Sequence, residues 1–415
     1  MDMESDGQPP FLTTDLPGIG GMIRVRHEDF LVEELPLYDC CGQGEYVYAR
    51  LEKRGLPTFS ALRRLAQALG APRRNIAYAG LKDARALTRQ WVSVTGVEPE
   101  QLAQLDLPGL KVLEVHRHTA PLRIGQLAGN RFSVRLRRCA VPLEQALDRA
   151  RGILDVIVRR GVPNYFGPQR FGARSDTPRL GAAIIARDPD RYIDLFLGAS
   201  VATEQEAVCS ARDCYDRGDY AGAWAAWPAH CHEQRHALRT LVKNGGDKNR
   251  AYNVLDRHLK RFHVSAFQSH LFNRVLVARM PHIDRLLPGE IAYRHQDGSL
   301  FTAADPQDHQ ARCDVFEISP TGPLYGPRMP EAQAQAALLE NSILAPTGLA
   351  RDDFRRMRYY QVKGARRPLR FRPRRLDLAA GSDELGPFLQ CQFDLDPGCY
   401  ATVLLREITK TADFR

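Results

Sequence analysis

The sequence predicts a mixed α/β fold, an α+β mixed sheet carrying a helix-rich inserted block. Three observations point there. Strand-like alternation marks the stretch from Ile23 to about Val162, helix-like periodicity dominates from Asn164 to about Pro320, and alternation returns at Leu389, Cys391 and Phe393. A sheet texture that is interrupted and then resumed is the trace of one domain inserted into another. With 415 residues the chain also exceeds the usual size of one domain. The expected boundaries are 21–163 and 321–415 for a discontinuous sheet domain and 164–320 for the insertion, after a disordered polar tail at 1–20.

The individual elements follow in order. Phe30 and Val32 alternate with polar neighbours and end in Glu33-Glu34, and Tyr46–Leu51 is a second strand. Thr58 can cap a helix whose apolar face is Leu62, Leu65, Ala66 and Leu69, with Gly70 just beyond its end. Asn130–Arg137 alternates, placing Phe132, Val134 and Leu136 on one face. Leu143–Arg160 is amphipathic and is stopped by Gly161 and Pro163. In the insertion, Arg191–Leu197 and Tyr220–Trp227 read as helices, and Ser265 with Gln268 forms a capping box opening a helix over Ala266–Met280. Strand texture then returns, and Pro397-Gly398 turns the chain into Tyr400–Thr409.

Charge narrows the partners. The chain carries a net +9, mostly as arginine, whose planar fork grips phosphate and whose flat face stacks on bases. Between Arg351 and Arg375 eleven Lys/Arg face two acids, interleaved with Phe354, Tyr359, Tyr360 and Phe371. Cations mixed with stackable aromatics suit nucleic acid, and a solvated loop would look the same. Nine irregularly spaced cysteines without a secretory signal predict a reducing cytoplasm. Cys209, Cys214, His230, Cys231 and His232 lack paired CxxC spacing, so no metal is expected. No apolar run approaches the ~20 residues of a membrane span. Gly18-Ile19-Gly20-Gly21 has neither the preceding strand nor the following helix of a phosphate loop, which disfavours a nucleotide-binding enzyme.

The most informative stretch is Ala79-Gly80-Leu81-Lys82-Asp83, with Thr88-Arg89-Gln90-Trp91 after it. Asp83 falls between Ile76–Tyr78 and Trp91–Val94, both strand-like, hence on a loop at a strand end. With no His or Cys beside it, Asp83 is no hydrolase triad member. It suits chemistry in which a carboxylate attacks or abstracts alone. A turn capped by its own aspartate is the plainer alternative.

Several strings resemble the TruD family of pseudouridine synthases. They are Glu28-Asp29-Phe30-Leu31-Val32-Glu33-Glu34, the Asp83 segment, Gly129-Asn130-Arg131-Phe132, the run from Val162 through Asn164 to Gly172, and Tyr400-Ala401-Thr402 with Leu405-Arg406-Glu407. The resemblance spans most of the chain. It implies a V-shaped molecule in which a pseudouridine synthase catalytic domain carries an inserted TRUD domain, with RNA held in a basic cleft. The implied reaction is isomerisation of uridine, at position 13 of tRNA, without cofactor or metal; a monomer is expected. Asp83 matches the family's catalytic carboxylate, acting at C1′ or through a glycal. Arg24 stands where better-known bacterial members carry lysine. Asn130 matches an asparagine that orients the carboxylate loop, Phe132 a ring that stacks on the target base, and Tyr400 a position often held by phenylalanine. The alternation of Phe132 also fits a sheet core. Lys82 could meet phosphate or only cap its turn. Arg170, Arg366 and Arg367 are RNA-contact candidates, as are Lys243, Lys248 and Arg250. A non-catalytic RNA-binding or chaperone protein on the same scaffold is the rival reading.

Overall fold

β-Branched and aromatic residues at alternate positions build a ten-stranded sheet in the computed structural model, which describes residues 8–201 and 204–411. The first segment supplies β1 (Gly20–Met22), β2 (Phe30–Pro36), β3 (Tyr46–Arg54), β4 (Ile76–Tyr78), β5 (Leu87–Thr95), β6 (Asp106–Leu107), β7 (Leu110–His118) and β8 (Leu127–Cys139). Helix α1 (Thr58–Ala68) turns Ala61, Leu62, Leu65 and Ala66 onto Val47, Ala49, Leu51, Val92 and Val94. Helix α2 (Leu143–Arg160) ends at Gly161, whose φ of 88° only glycine adopts freely.

The chain then forms a second unit, Pro163–Arg370. Its helices include α3 (Thr177–Ile185), α4 (Pro189–Leu197) and α5 (Arg257–Arg279). Their apolar core gathers Tyr192, Phe196, Trp227, Leu238, Phe267 and Leu271. The unit is not purely helical. Strands β9 (Glu290–Arg294), β10 (Leu300–Ala303), β11 (Ile318–Leu324) and β12 (Ala365–Pro368) form an antiparallel sheet in the order β10-β9-β11-β12.

From Phe371 on, the chain rejoins the first unit with β13 (Arg374–Asp383), β14 (Gly386–Leu395) and α6 (Ala401–Thr409). The sheet order is β13-β14-β8-β2-β5-β3-β7-β6, with β1 also on β8 and β4 also on β5. Of these pairings only β2–β5 is parallel. Phe132 lies in register with Val32 on one side and Phe393 on the other. Helix α2 packs on β13 and β14, and α6 packs on α2.

Four expectations are corrected. The inserted unit ends at Arg370, not at 320, because β11 pairs with β12 from Thr321↔Pro368 to Leu324↔Ala365 and sews residues 365–368 into it. Within the expected 1–20 tail, residues 1–7 lie outside the described residues. Leu12 N and Thr13 Oγ1 donate to Glu407 at 2.9 and 3.0 Å, and Ile19 is fully buried with its N–H on Ile408 O. Helix α5 begins at Arg257, where Asp256 caps the N–H groups of His258 and Leu259. Ser265 therefore sits inside the helix, and Gln268 donates to Tyr325 O instead of closing a capping box. Last, the chain beyond Pro397-Gly398 is helical, with Tyr400 as the N-cap residue of α6.

Helices α3 and α5 touch closely at Gly181, where an added Cβ would stand 2.2 Å from His263 O. Gly181→Ala must part the two helices, at a cost of ~1–3 kcal/mol or more. Its thermal unfolding should shift down by several degrees.

Candidate active site

Asp83 lies on the loop between β4 and β5, and the loop's main chain is held from several sides. Lys53 Nζ donates to Asp83 O and to Leu56 O, both at 2.8 Å, and reaches Lys82 O at 3.5 Å. Lys82 N donates to Thr58 Oγ1 at 3.1 Å, and Thr58 Oγ1 donates to Gln90 Oε1 at 3.1 Å. Ala79 O accepts from Gly125 N at 2.8 Å. The loop is fixed by its carbonyls and amides, which leaves the Asp83 carboxylate itself available, with 37% of the side chain exposed.

Beneath it Lys82 folds inward onto Glu34, Nζ to Oε2 at 2.5 Å, with side chains 3% and 1% exposed. Gly80 permits this, since a Cβ there would meet Lys82 Nζ at 3.2 Å. Glu34 Oε1 accepts from Trp91 N, so the pair ties β2, the loop and β5 together. Burial pushes the Glu34 carboxyl above its ordinary value, with Lys82 opposing.

One cation meets the carboxylate directly. Arg24 Nη2 donates to Asp83 Oδ1 at 3.1 Å, while its guanidinium lies 4.2 Å from the centre of the Phe30 ring. Burial lowers the Arg24 pKa and Asp83 opposes the shift; the guanidinium stays charged at any physiological pH. The arginine takes φ of 60°, a left-handed conformation that costs a non-glycine residue ~1–2 kcal/mol. Phe30 meets Phe132 edge-on at 6.1 Å, and Phe132 stacks on Phe393 at 5.3 Å. A row of rings thus runs from the carboxylate's arginine into the sheet.

Asp83 and Arg24 therefore stand together, and Phe132 is linked to them through Phe30. Phe132 is also core, 6% exposed, as its alternation allowed. Asn130 sits opposite Glu34 in the β2–β8 register, but its Oδ1 is buried without a hydrogen-bond partner among the described residues. The expected contact with the carboxylate loop is not made; Lys53, Thr58 and Lys82 hold that loop instead. Lys82 is no phosphate contact, because its ammonium is buried against Glu34. Tyr400 stands at the N-terminus of α6.

The other arginine candidates lie in the inserted unit, and each is already engaged. Arg366 is buried on Thr321 and on Glu340 at 2.6 Å, which removes it as an RNA contact. Arg367 Nη2 donates to Asn164 Oδ1 at 2.5 Å and stacks on Phe166. Arg170 donates to Ser265 and Ser269 and lies over Phe262. Lys248 pairs with Asp194, and Arg250 with Asp247 and Asn244. Gly20 and Gly21 of the glycine string belong to β1, on the edge of β8.

Lys53 was missed in the sequence. The available signal was its place in line with Val47, Ala49 and Leu51, alternate residues of β3 that are all buried. Burial lowers the Lys53 ammonium to about 8, with Asp83 opposing. Its folded pKa lies below its ordinary 10.5, so between these values the folded chain binds fewer protons than the unfolded one. Stability attributable to Lys53 therefore rises as pH climbs from about 8 to 10.5. Urea unfolding at the two ends of that window should show this rise in wild type and lose it in Lys53→Met.

Among the described residues no helix is long and apolar enough to cross a membrane, and no group of three His, Cys, Asp or Glu side chains could hold a metal ion. Residues 9–408 match the family described as tRNA pseudouridine synthase D (TruD). The tRNA pseudouridine synthase D of Geobacter sulfurreducens is 44% identical over 400 residues, covering 96% of each chain. That of Thermus thermophilus is 37% identical, over 97% of this chain and 92% of its own. A crystal structure from Methanosarcina mazei, assigned provisionally to the same family, superposes with a TM-score of 0.85 at 28% identity, over 98% of this chain and 97% of the other. With the match running nearly end to end in both sequence and fold, the chain belongs to the tRNA pseudouridine synthase D family.

Proposed function

We propose that this protein isomerises uridine to pseudouridine in tRNA, at position 13, with Asp83 as the catalytic carboxylate. The observation that carries this reading is the Asp83 carboxylate, part-exposed on a pinned loop and paired at 3.1 Å with Arg24 in a family named for the reaction. The reaction breaks the N1–C1′ bond, turns the uracil, and joins C5 to C1′; the C5 proton is lost and N1 gains one. Nothing is oxidised or reduced.

Arg24 holds and aims the Asp83 carboxylate through their 3.1 Å contact, so that it either attacks C1′ or takes the C2′ proton to give a glycal. The detached uracil must not diffuse away. Phe132, held between Phe30 and Phe393, is the ring assigned to the base, and stacking on aromatic rings is worth ~1–3 kcal/mol per base in single-strand binders. That interaction also offsets part of the cost of flipping the uridine from its helix. Lys53 and the Lys82–Glu34 pair act as positioning groups, holding the loop to the sub-ångström tolerance that such chemistry requires. Exposed basic residues of each unit supply the phosphate contacts.

An unmodified tRNA transcript bearing U13, probed for pseudouridine at nucleotide resolution, tests this. Wild type should convert U13 with no added cofactor, and Asp83→Asn should bind the transcript with similar affinity yet convert none of it. Conversion by Asp83→Asn would remove the residue from its role. Conversion at another uridine would move the site. Arg24→Ala should retain binding and lose at least ten-fold in single-turnover rate, since one charge-assisted contact is worth ~1.5–3 kcal/mol.

A further inference from the structure

The inserted unit carries a depression of about 300 Å³ that none of the groups described so far uses. Three parts of the unit meet there. The turn between α3 and α4 brings Arg187, the helix Lys248–Asn253 brings Asn249 and Asn253, and the 3-10 turn Arg356–Tyr360 brings Arg356, Tyr359 and Tyr360. Beside the depression, Arg257 at the start of α5 holds its guanidinium 5.1 Å from the centre of the Tyr359 ring.

Two features set this place apart from a solvated basic loop. Tyr359 is 67% exposed although it stands beside Tyr360, which is tied to Tyr252 through their hydroxyls at 2.6 Å. A large ring held at a fixed angle and left open to solvent is a stacking platform. Secondly, many arginines of the basic stretch Arg351–Arg375 are consumed internally: Arg366 by Glu340, Arg351 and Arg355 by Glu331, Arg374 by Asp396. Around the depression the balance is different. Arg187 makes no ion pair among the described residues, and Arg356 meets only Asp353, at 3.7 Å. One carboxylate lines the depression, Asp188, which caps Arg191 N, so two guanidinium groups stand there against one acid.

We infer that this depression takes one nucleotide of the RNA substrate, its base stacked on Tyr359 and its phosphate held by Arg187 and Arg356. The inference rests on the tRNA reading proposed above and deepens it by naming a contact in the inserted unit, remote in sequence from Asp83. Guanidinium groups and side-chain amides around the exposed Tyr359 ring match a nucleotide's charge, edge and face together. The volume suits one nucleotide.

The test measures binding of the unmodified tRNA transcript over a range of salt, beside the single-turnover rate at saturating transcript. Tyr359→Ala should weaken binding about five- to a hundred-fold, the span set by losing one stacked base, and leave the saturated rate unchanged. Tyr359→Phe keeps the ring and should bind like wild type. Arg187→Ala with Arg356→Ala should lower the slope of log affinity against log salt by about one to two, whereas Asp83→Asn should leave that slope intact. Unchanged affinity and slope in Tyr359→Ala and in the double arginine variant would overturn the inference and leave the depression to another occupant, such as a protein partner. If wild type itself neither binds nor converts tRNA, the parent reading falls and this one with it. An exposed ring is no core element, so equal melting temperatures should accompany the expected loss.

Discussion

The buried ion pair between Lys82 and Glu34 holds the Asp83 end of the sheet together. Each partner belongs to a different element, one to the Asp83 loop and one to β2, and Glu34 also receives the Trp91 N–H of β5. Such a pair adds little net stability, because both ions lose their hydration. Removing one partner alone, however, strands a buried charge at a cost of ~3–5 kcal/mol. The pair therefore specifies geometry: any arrangement that moves the loop off β2 leaves a charge without its counterpart.

With the loop fixed from below, the carboxylate above it can stay partly in water. Wholly buried, the carboxylate would be closed to a substrate, and wholly exposed, it would have nothing to hold its orientation. The observed compromise pairs it with a single guanidinium that is itself braced on Phe30. The left-handed backbone of Arg24 belongs to the same arrangement. Strain at that residue is tolerated because the flanking strand and the Phe30 contact over-determine its position.

What local sequence could specify was legible. Helix α2 has the bounds that its apolar periodicity and its glycine stop indicate, and Asp83 lies on a loop between two strands for the reasons that residue types alone supplied. The resemblance paired Asp83 with Arg24, fifty-nine positions apart, which no local pattern could do. What remained hidden depends on partners distant in the chain. Arg366 reads as a surface cation until Glu340 and Thr321 are seen around it, and Lys53 reads as an ordinary strand lysine until three carbonyls close on it. The end of the inserted unit was misplaced for the same reason: a strand pairing, not a change of composition, carries it to Arg370. Helix α5 started earlier than its apolar pattern because its first turns are charged and its cap is a lone aspartate.

The discontinuity of the sheet bears on how the protein is made. Strand β8 emerges from the ribosome about 250 residues ahead of its neighbour β14, a lag on the order of ten to fifty seconds at ~5–20 residues per second. For that interval the eight-residue edge Asn130–Arg137 that later pairs with β14 stands open, the kind of surface that recruits other nascent chains. It carries Arg131 and Arg135, whose folded partners Asp394 and Asp383 also arrive last, and Arg137, which pairs with Asp383 and with the earlier Asp29. Before those acids exist, Arg131 and Arg135 are two uncompensated cations on one ribbon, and they repel a second copy of the same ribbon, while Arg137 already has Asp29. Two of the residues that later lock the sheet shut thus put like charge on its open edge during synthesis, the kind of edge charge that discourages pairing with another chain.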